Sequence, residues 1–305
     1  MEIRPAISDT ERETFLAVRN AVYPRDPLGL PELRSWDSQV RELVTYVAWE
    51  QDRVVGAALT GLLAQKPDPF AHAWVLHEER RRGIGTALYR TISEYAASRG
   101  KDALEVWIED SDPDGAPFAE KRGFAEIGRE LHVSLDLAEI DAPAVHPPEG
   151  VTIMTWAERP ELIHGIYEVA VEASADIPGD EEDEIEPFDD WVAHEMAAGP
   201  GDRPEATFVA VAADEVVGYA KFSVAAGKTD VAHHDLTGVK RAWRKRGIAR
   251  ALKQAQIAWA KREGFERLET RNEERNEPIR KLNAEFGYRP SGVRMLFRGP
   301  LLRRY

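Results

Sequence analysis

The sequence predicts an α/β fold organised around a mixed β-sheet, and it predicts that fold twice. Three observations carry this. First, a six-residue loop recurs: Arg80-Arg81-Arg82-Gly83-Ile84-Gly85 and Arg244-Lys245-Arg246-Gly247-Ile248-Ala249 lie 164 positions apart. Second, the same register continues outside the loop, pairing Val75 with Val239, Leu88 with Leu252, Ala96 with Ala260, Gly100 with Gly264, Glu105 with Glu269, Gly123 with Gly287 and Phe124 with Tyr288. Third, short apolar runs and amphipathic segments alternate in the same order in both halves. Upstream, Val54-Val55-Gly56 matches Val216-Val217-Gly218 at a spacing of 162, so two residues were gained or lost in between. A repeat this long exceeds the roughly 20–50 residues of a solenoid unit and marks a duplicated domain.

In the first half, Phe15, Val18 and Val22 recur at helical spacing and predict a helix over Thr10–Val22. Tyr46–Trp49 and Val54–Leu63 read as strands around a polar turn, and Ala71–Leu76 as a third. Ile84, Leu88, Ile92 and Tyr95 share one face of a helix over Ile84–Ser98 that Gly100 stops. Ala103–Ile108 is a strand, Ala116–Lys121 a short helix, and Glu130–Leu137 the closing strand. The segment Asp141–Gly150, with three prolines, reads as a semi-rigid linker. The second half repeats the order: strand Val151–Thr155, helix Pro160–Ser174, strands Phe208–Ala212, Val216–Val224 and His233–Val239, helix Ile248–Glu263, strand Arg267–Thr270, helix Pro278–Phe286 and strand Arg294–Gly299. The expected domains are therefore 1–140 and 151–305, joined by 141–150.

Composition narrows the function. A chain of 305 residues with 43% apolar content suffices for two ordinary cores. No window approaches the ~18 apolar residues of a membrane span, and the N-terminus has no signal-peptide core. With no cysteine, disulfides, thiolate metal sites and a cysteine nucleophile are excluded, and no metal is expected. A net charge of −14 argues against a nucleic-acid partner. These features together point to a cytoplasmic protein. Positive charge gathers at the two loops, which suits a small polyanion. One further segment, Pro178–Asp190, has eight acidic residues among 13 and reads either as a solvated loop or as a lid drawing in a cationic substrate.

The loop spacing has a physical reading. Glycine lets backbone approach a ligand closely, and successive amides then face one concavity at the positive end of a helix. A pyrophosphate is the natural guest, and the flanking arginines add charge-assisted hydrogen bonds. No Gly-Lys-Ser/Thr follows, so this is not a Walker loop, and it lacks the glycine pattern of a dinucleotide fingerprint.

In loop and element order the chain resembles the GNAT acetyltransferases, whose hallmark is Gln/Arg-x-x-Gly-x-Gly/Ala after a central strand. The resemblance covers nearly the whole chain, and the duplication resembles the tandem, mycothiol synthase-like members of actinobacterial type. It implies two tandem GNAT folds, each a central mixed sheet flanked by helices, with acetyl-CoA as cofactor, in one or in each domain. The pyrophosphate would lie on Arg80, Arg81, Arg82, Gly83, Ile84, Gly85 and Thr86, or on Arg244, Lys245, Arg246, Gly247, Ile248, Ala249 and Arg250. The pantetheine arm would run along backbone at Leu236, Gly238 and Val239, or up to Val75. An Asn after the next strand helps hold that arm in the family. Asn276 fills this position in the second half, whereas the first half has Asp112, a carboxylate beside a polyanion. The second half is thus the expected catalytic one.

Family members commonly carry a Tyr seven residues after that Asn, as the acid for the departing thiolate. Here the positions hold Asn283 and Ala119, neither of which is an acid, so water is expected to protonate the thiolate or Asn283 to stabilise it. The family's base often stands six residues before the signature Val, which is His233, followed by His234 and Asp235. Strand alternation sets His233 and Asp235 on one face and His234 on the other. A histidine titrates near neutrality and suits the task, so these residues are the catalytic candidates. Trp243 is placed to pack over an adenine. The implied activity is N-acetyl transfer to a primary amine of a small, cationic substrate by direct attack. The competing readings are an acyl-CoA sensor without chemistry and a protein-lysine acetyltransferase. Two fused domains could imitate the dimer of single-domain relatives, making the chain a monomer.

Overall fold

The computed structural model describes residues 1–24, 27–63, 66–178, 185–196, 202–224 and 230–302. In chain order the elements are β1 (Glu2–Pro5), α1 (Asp9–Val22), α2 (Leu30–Gln39), β2 (Arg41–Glu50), β3 (Arg53–Leu62), β4 (Phe70–Val75), α3 (Ile84–Ser98), β5 (Ala103–Glu109), α4 (Gly115–Glu120), β6 (Ala125–Asp136), β7 (Thr152–Thr155), α5 (Ile163–Ser174), α6 (Phe188–Trp191), β8 (Asp202–Ala212), β9 (Glu215–Ser223), β10 (Val231–Val239), α7 (Ile248–Arg262), β11 (Arg267–Glu273), α8 (Glu277–Glu285) and β12 (Arg289–Pro300). Sequence periodicity missed β1, α2 and α6, which are short or carry few apolar residues.

Two compact units divide the chain, Met1–Gly128 with Arg294–Tyr305, and Arg129–Val293. The first unit's strands run β1-β2-β3-β4-β5-β12 and the second unit's β6-β11-β10-β9-β8-β7. β12 lies antiparallel to β5, from Arg294 opposite Glu109 to Pro300 opposite Ala103. β6 lies antiparallel to β11, from Asp136 opposite Arg267 to Glu130 opposite Glu273. Each half's last strand therefore closes the other half's sheet, and the compact units do not coincide with a cut at the linker. Either strand can serve because each offers a large apolar side chain to the core it joins: Leu135 packs with Leu268, and Phe297 with Leu104. The linker packs on its own unit, where His146 N donates to Gln254 Oε1 on α7 at 3.0 Å.

Each unit is layered, with apolar clusters on both faces of its sheet. In the second unit α7 covers Phe208, Phe222 and Leu268 on one face. On the other, α5 and α6 cover Val209, Val211 and Tyr219. Leu88 and Leu252, at the repeat register, are fully buried in their units, each worth about 1.5–3 kcal/mol of transfer free energy.

Two backbone features create the site. β10 and β11 pair in parallel only from Val231–His233 to Arg267–Glu269. β4 and β5 pair only at Phe70 and Glu105. Beyond these points the ladder ends, and toward the loop end the facing edges of the two strands are no longer paired; this stretch is the slot. In addition, β10 is bulged. His233 and Val239 lie opposite Ser223 and Gly218, with the register shifting between His234 and Thr237. β4 runs opposite β3 without a shift, from Gly61–Phe70 to Gly56–Val75. One of the two residues gained between the halves is this bulge.

Candidate active site

Both loops have nearly the same backbone. Arg80 and Arg244 are extended, with φ, ψ of −65°, 162° and −66°, 161°. Arg81 and Lys245 then take positive φ of 63° and 61°, and Gly83 and Gly247 take 86° and 91°. Alternating hands of this kind turn successive amides into one anion-binding concavity. An added Cβ would meet nothing within 4 Å at Gly83 and only Pro148 Cγ, at 3.9 Å, at Gly247. The left-handed backbone therefore selects glycine here, rather than crowding. Ile84 and Ile248 are buried and pin the helix starts, and neither helix has a side-chain cap, so first-turn amides remain for a ligand. Arg80 Nε donates to Val75 O at 3.3 Å and Arg244 Nε to Val239 O at 2.9 Å.

The charges around the loops differ. In the first, Arg80 Nη1 lies 3.0 Å from Asp114 Oδ2 and 3.4 Å from Asp112 Oδ1. Arg81 pairs with Asp114, and Arg82 with Glu79 and with Glu50. The hydrogen bond from Arg80 holds the Asp114 carboxyl below its usual range. In the second, Arg244 Nη1 lies 2.7 Å from Asp176 Oδ2, and Asp176 also takes two hydrogen bonds from Arg241 at 2.8 Å. Arg241 foremost pulls the Asp176 carboxyl down to about 2. Among the described residues, Lys245 and Arg246 meet no carboxylate. The Arg246 guanidinium lies 4.7 Å over the Trp243 ring, so Trp243 carries a loop cation.

The other residues assigned to the loops divide between core and rim. Thr86 Oγ1 accepts from Arg122 at 2.6 Å, and an added Cβ on Gly85 would lie 3.2 Å from Phe118. Ala249 packs on the core, and Arg250 pairs with Glu285. Val75 and Val239 also pack inward. Gly238 is crowded by α5, where a Cβ would lie 2.9 Å from Ala173 Cβ. Leu236 packs against that same helix layer.

On β10, His233 lies opposite both Ser223 and Glu269. Its Nδ1 is 3.8 Å from Glu269 Oε2, and the ring is 28% exposed. The bulge follows, and Asp235 there accepts from Lys221 Nζ and from Ser223 Oγ, each at 3.0 Å. Burial foremost, then the carboxylates Glu195 and Asp235, push the Tyr219 hydroxyl pKa up. His233, Asp235, Lys221, Ser223 and Glu269 thus gather where β10 and β11 part. The sequence reading missed Glu269 and Lys221. Their signals were a carboxylate one strand away at the repeat register and a lysine inside an apolar strand.

His234 faces the other way. It is 7% exposed, with Nδ1 3.0 Å from Gln256 Oε1, Nε2 2.5 Å from Tyr288 Oη, and Lys253 Nζ at 3.5 Å. Burial foremost, then Lys253, holds its pKa well below the usual value. Lys253 is 1% exposed, and burial brings its ammonium down to about 7. These groups join α7 to the back of β10, away from Asp235.

Asn283 on α8 is 1% exposed, and its Nδ2 donates to Asn272 Oδ1 at 2.8 Å. Its Oδ1 has no partner among the described residues. The side chain offers an acceptor, not the N–H that would stabilise a thiolate. Asn276 begins α8 without a side-chain cap, so its amide is not spent on the helix. The slot, the amide cradle and two carboxylate-free cations fit a pyrophosphate-bearing thioester, which Lys245, Arg246 and the Gly247–Ala249 amides could hold.

A profile of the Acetyltransferase (GNAT) family matches residues 5–124 and 163–288. The chain belongs to the GNAT acetyltransferase family. That family generally uses acetyl-CoA. Among curated relatives, a mycothiol acetyltransferase of Geodermatophilus obscurus is 33% identical over 90 residues, 29% of this chain and 28% of that protein. One of Saccharomonospora viridis is 35% identical over 77 residues, 25% and 24% of the two chains. The match thus spans about a quarter of each relative. Over the full length the fold is similar to a tandem GNAT protein from the clavulanic acid biosynthesis pathway (TM-score 0.79, 22% identity, 100% of this chain and 99% of that one). It is also similar to a GCN5-related N-acetyltransferase from Sphaerobacter thermophilus (TM-score 0.76, 22% identity, 99% and 97%). Two GNAT folds in tandem, each a mixed sheet flanked by helices, are therefore what this GNAT chain contains. No helix among its described residues is long and apolar enough to cross a membrane.

Proposed function

We propose that the second unit is an acetyl-CoA-dependent N-acetyltransferase centre acting on a primary amine of a small, cationic acceptor. One observation carries the reading: the slot between β10 and β11 has the carboxylate-free loop cations at one end and His233 with Asp235 at the other. When bound, acetyl-CoA supplies an acyl group activated as a thioester. The chain must hold the amine, make it neutral and hold the anionic cofactor. A protonated amine has no lone pair, so a base must take its proton before attack. His233 is half-buried at the mouth of the slot, and Glu269 beside it stabilises the imidazolium that results. Asp235, fixed by the Lys221 ammonium and the Ser223 hydroxyl, places a carboxylate on the same face, and a cationic acceptor would have to share it with Lys221. Asn283 supplies no proton, which leaves that step to water. Six acidic-stretch residues, 179–184, lie outside the described residues. In its described part Glu186 pairs with His194 at 2.6 Å.

A shared loop backbone supports one cofactor per unit, while Asp112 and Asp114 at the first loop count against it. The test is turnover of acetyl-CoA against a panel of small amines, a lysine peptide included, for the wild type and His233→Ala. Release of CoA with a small cationic amine, lost in the variant, supports the reading. Binding of acetyl-CoA without turnover on any amine would make the protein an acyl-CoA sensor, and a strong preference for the peptide would make it a protein-lysine acetyltransferase.

A further inference from the structure

We propose that the first unit's anion seat is closed by the chain's own carboxylates: Asp112 and Asp114 latch onto Arg80 and Arg81 and take the place a pyrophosphate would need. The inference rests on the acetyl-CoA reading for the second unit only as its contrast. The two loops share backbone, register and helix position, so the seat itself is present in both. What differs is what the arginines hold. Asp114 touches Arg80 at 3.0 Å and also pairs with Arg81, while Asp112 touches Arg80 at 3.4 Å. Asp112 Oδ1 also accepts Asp114 N at 3.2 Å, so the two carboxylates are set as one turn. That turn follows β5, while Arg80 and Arg81 follow β4, so the latch bridges the mouth of the slot between these strands.

Two effects then act together against a polyanion. The loop's cations are already neutralised, and the phosphate oxygens would meet carboxylates that remain ionised, because Arg80 holds Asp114 low. The second loop differs in degree: Arg244 is paired with Asp176 at 2.7 Å, but Lys245 and Arg246 meet no carboxylate among the described residues. Asn276 stands at the register of Asp112, and Pro278 at that of Asp114, so neither acid of the latch has a counterpart. Among the described residues, Asp176, shared with Arg241, is the one carboxylate that touches a motif cation there.

The test is hydrogen–deuterium exchange on the whole chain, read separately at amides 80–88 and 244–252, for the wild type and the Asp112→Asn/Asp114→Asn variant. Asparagine keeps the Oδ1 acceptor at 112, and both positions lie toward solvent, so the turn is retained; circular dichroism and the melting midpoint confirm the fold. Probes are acetyl-CoA and inorganic pyrophosphate. The expected result is protection by acetyl-CoA at 244–252 alone in the wild type, and in the variant a gain of about tenfold or more in affinity at 80–88 for either probe, the size expected on removing two or three exposed ion pairs. Protection at 80–88 in the wild type at the same concentration as at 244–252 would overturn the proposal. So would a variant that gains nothing at 80–88 for either probe. If acetyl-CoA protects neither loop of the wild type, while pyrophosphate protects 80–88 in the variant only, the latch stands and the acetyl-CoA reading falls.

Discussion

Arg80–Gly85 and Arg244–Ala249 follow almost the same path, yet one loop's arginines are all tied to carboxylates and the other keeps Lys245 and Arg246 clear of them. The same contrast runs deeper into the units. Under α3, the first unit packs Ala71, Tyr89, Ile92 and Phe124 in one apolar cluster. At the matching positions under α7, the second unit places His234, Lys253, Gln256 and Tyr288. On the opposite face the contrast has the same sense. The first unit fills its β4 surface with aromatic rings, His72 stacking on Trp74 at 5.4 Å and Trp74 meeting Phe15 edge-on at 5.8 Å. At the register of Trp74 the second unit has Gly238, and β10 bulges to present Asp235. One duplicated frame has thus become a unit whose loop cations and sheet faces are filled by its own side chains and a unit that keeps two loop cations clear of carboxylates.

The largest effect expected from this contrast comes from the loop glycines. Gly247→Val must place a β-branched residue at φ 91°, a strain of about 1–3 kcal/mol, and it disturbs the amide cradle. Losing two or so charge-assisted hydrogen bonds lowers kcat/KM for acetyl-CoA by about a thousandfold. Gly83→Val carries the same strain but leaves kcat/KM within about twofold. Equal losses in the two variants would erase the distinction between the units.

Next comes the buried lysine. Lys253 is brought down to about 7 by burial, against 10.5 unfolded. Between those values the unfolded chain binds a proton that the folded unit does not, so stability rises with pH across about 7 to 10.5. Below about 7 the charge must be buried and the penalty is complete, amounting to a few kcal/mol. Lys253→Met removes the slope, and urea midpoints at three pH values across this window check it. His72 in the first unit, held at about 4 by burial and then by Arg294 and Arg19, predicts a rise in a different window, between about 4 and 6.5. Parallel pH curves for Lys253→Met and wild type would show that the polar cluster does not set the second unit's pH response.

His233→Ala separates the two faces of β10. Loss of a general base lowers turnover by about a hundredfold near neutral pH, with acetyl-CoA affinity unchanged. His234→Phe instead strands Gln256 and Tyr288, costing about 1–3 kcal/mol of stability with a far smaller change in turnover. Turnover that followed His234 rather than His233 would reverse the assignment of the faces.

Much of this was legible in the sequence, and the exceptions have physical causes. The glycines at 83 and 247, the helical stripe from Ile84 to Ile92 and the strand alternation across His233–Asp235 each report on backbone within a few residues, so local pattern sufficed. The exchange of closing strands was not legible. β6 and β12 stand at the same place in the two halves, and which sheet each joins is a pairing over long range. The latch is half legible: the register makes Asp112 unfavourable beside a polyanion, but its contact with Arg80 joins two strand ends 32 residues apart, which local pattern does not report. Lys253 and Gln256 were hidden because they occupy positions where an amphipathic helix should be apolar, and only the fold shows that they satisfy His234. Asn283 looked like a donor and proved to offer its oxygen, a matter of which partner Asn272 takes.

The smallest effect tests whether the quiet unit matters to the working one. Each half of the chain carries a Ser/Thr–Glu pair near its start, Ser8 with Glu11 before α1 and Thr155 with Glu158 after β7. At the first, the Ser8 hydroxyl accepts from Glu11 N and Glu11 accepts from Ser8 N; at the second, Glu158 accepts from Thr155 N and from the Thr155 hydroxyl. Ser8→Ala and Thr155→Ala each cost about 1 kcal/mol, too little to unfold either unit. Both costs are small against the stability of a domain, so a difference in turnover reports location rather than unfolding. Thr155 leads into the helical layer that covers the His233 face, through Leu162, Ile166 and Trp191. Ser8 leads into the layer over Trp74 and Leu59 in the unit whose slot is latched. Turnover at a temperature well below both midpoints should fall by up to about twofold in Thr155→Ala and remain level in Ser8→Ala. A fall in Ser8→Ala as large as in Thr155→Ala would mean that the first unit's α1 face supports the chemistry, and the division of labour drawn from the two loops would have to be abandoned.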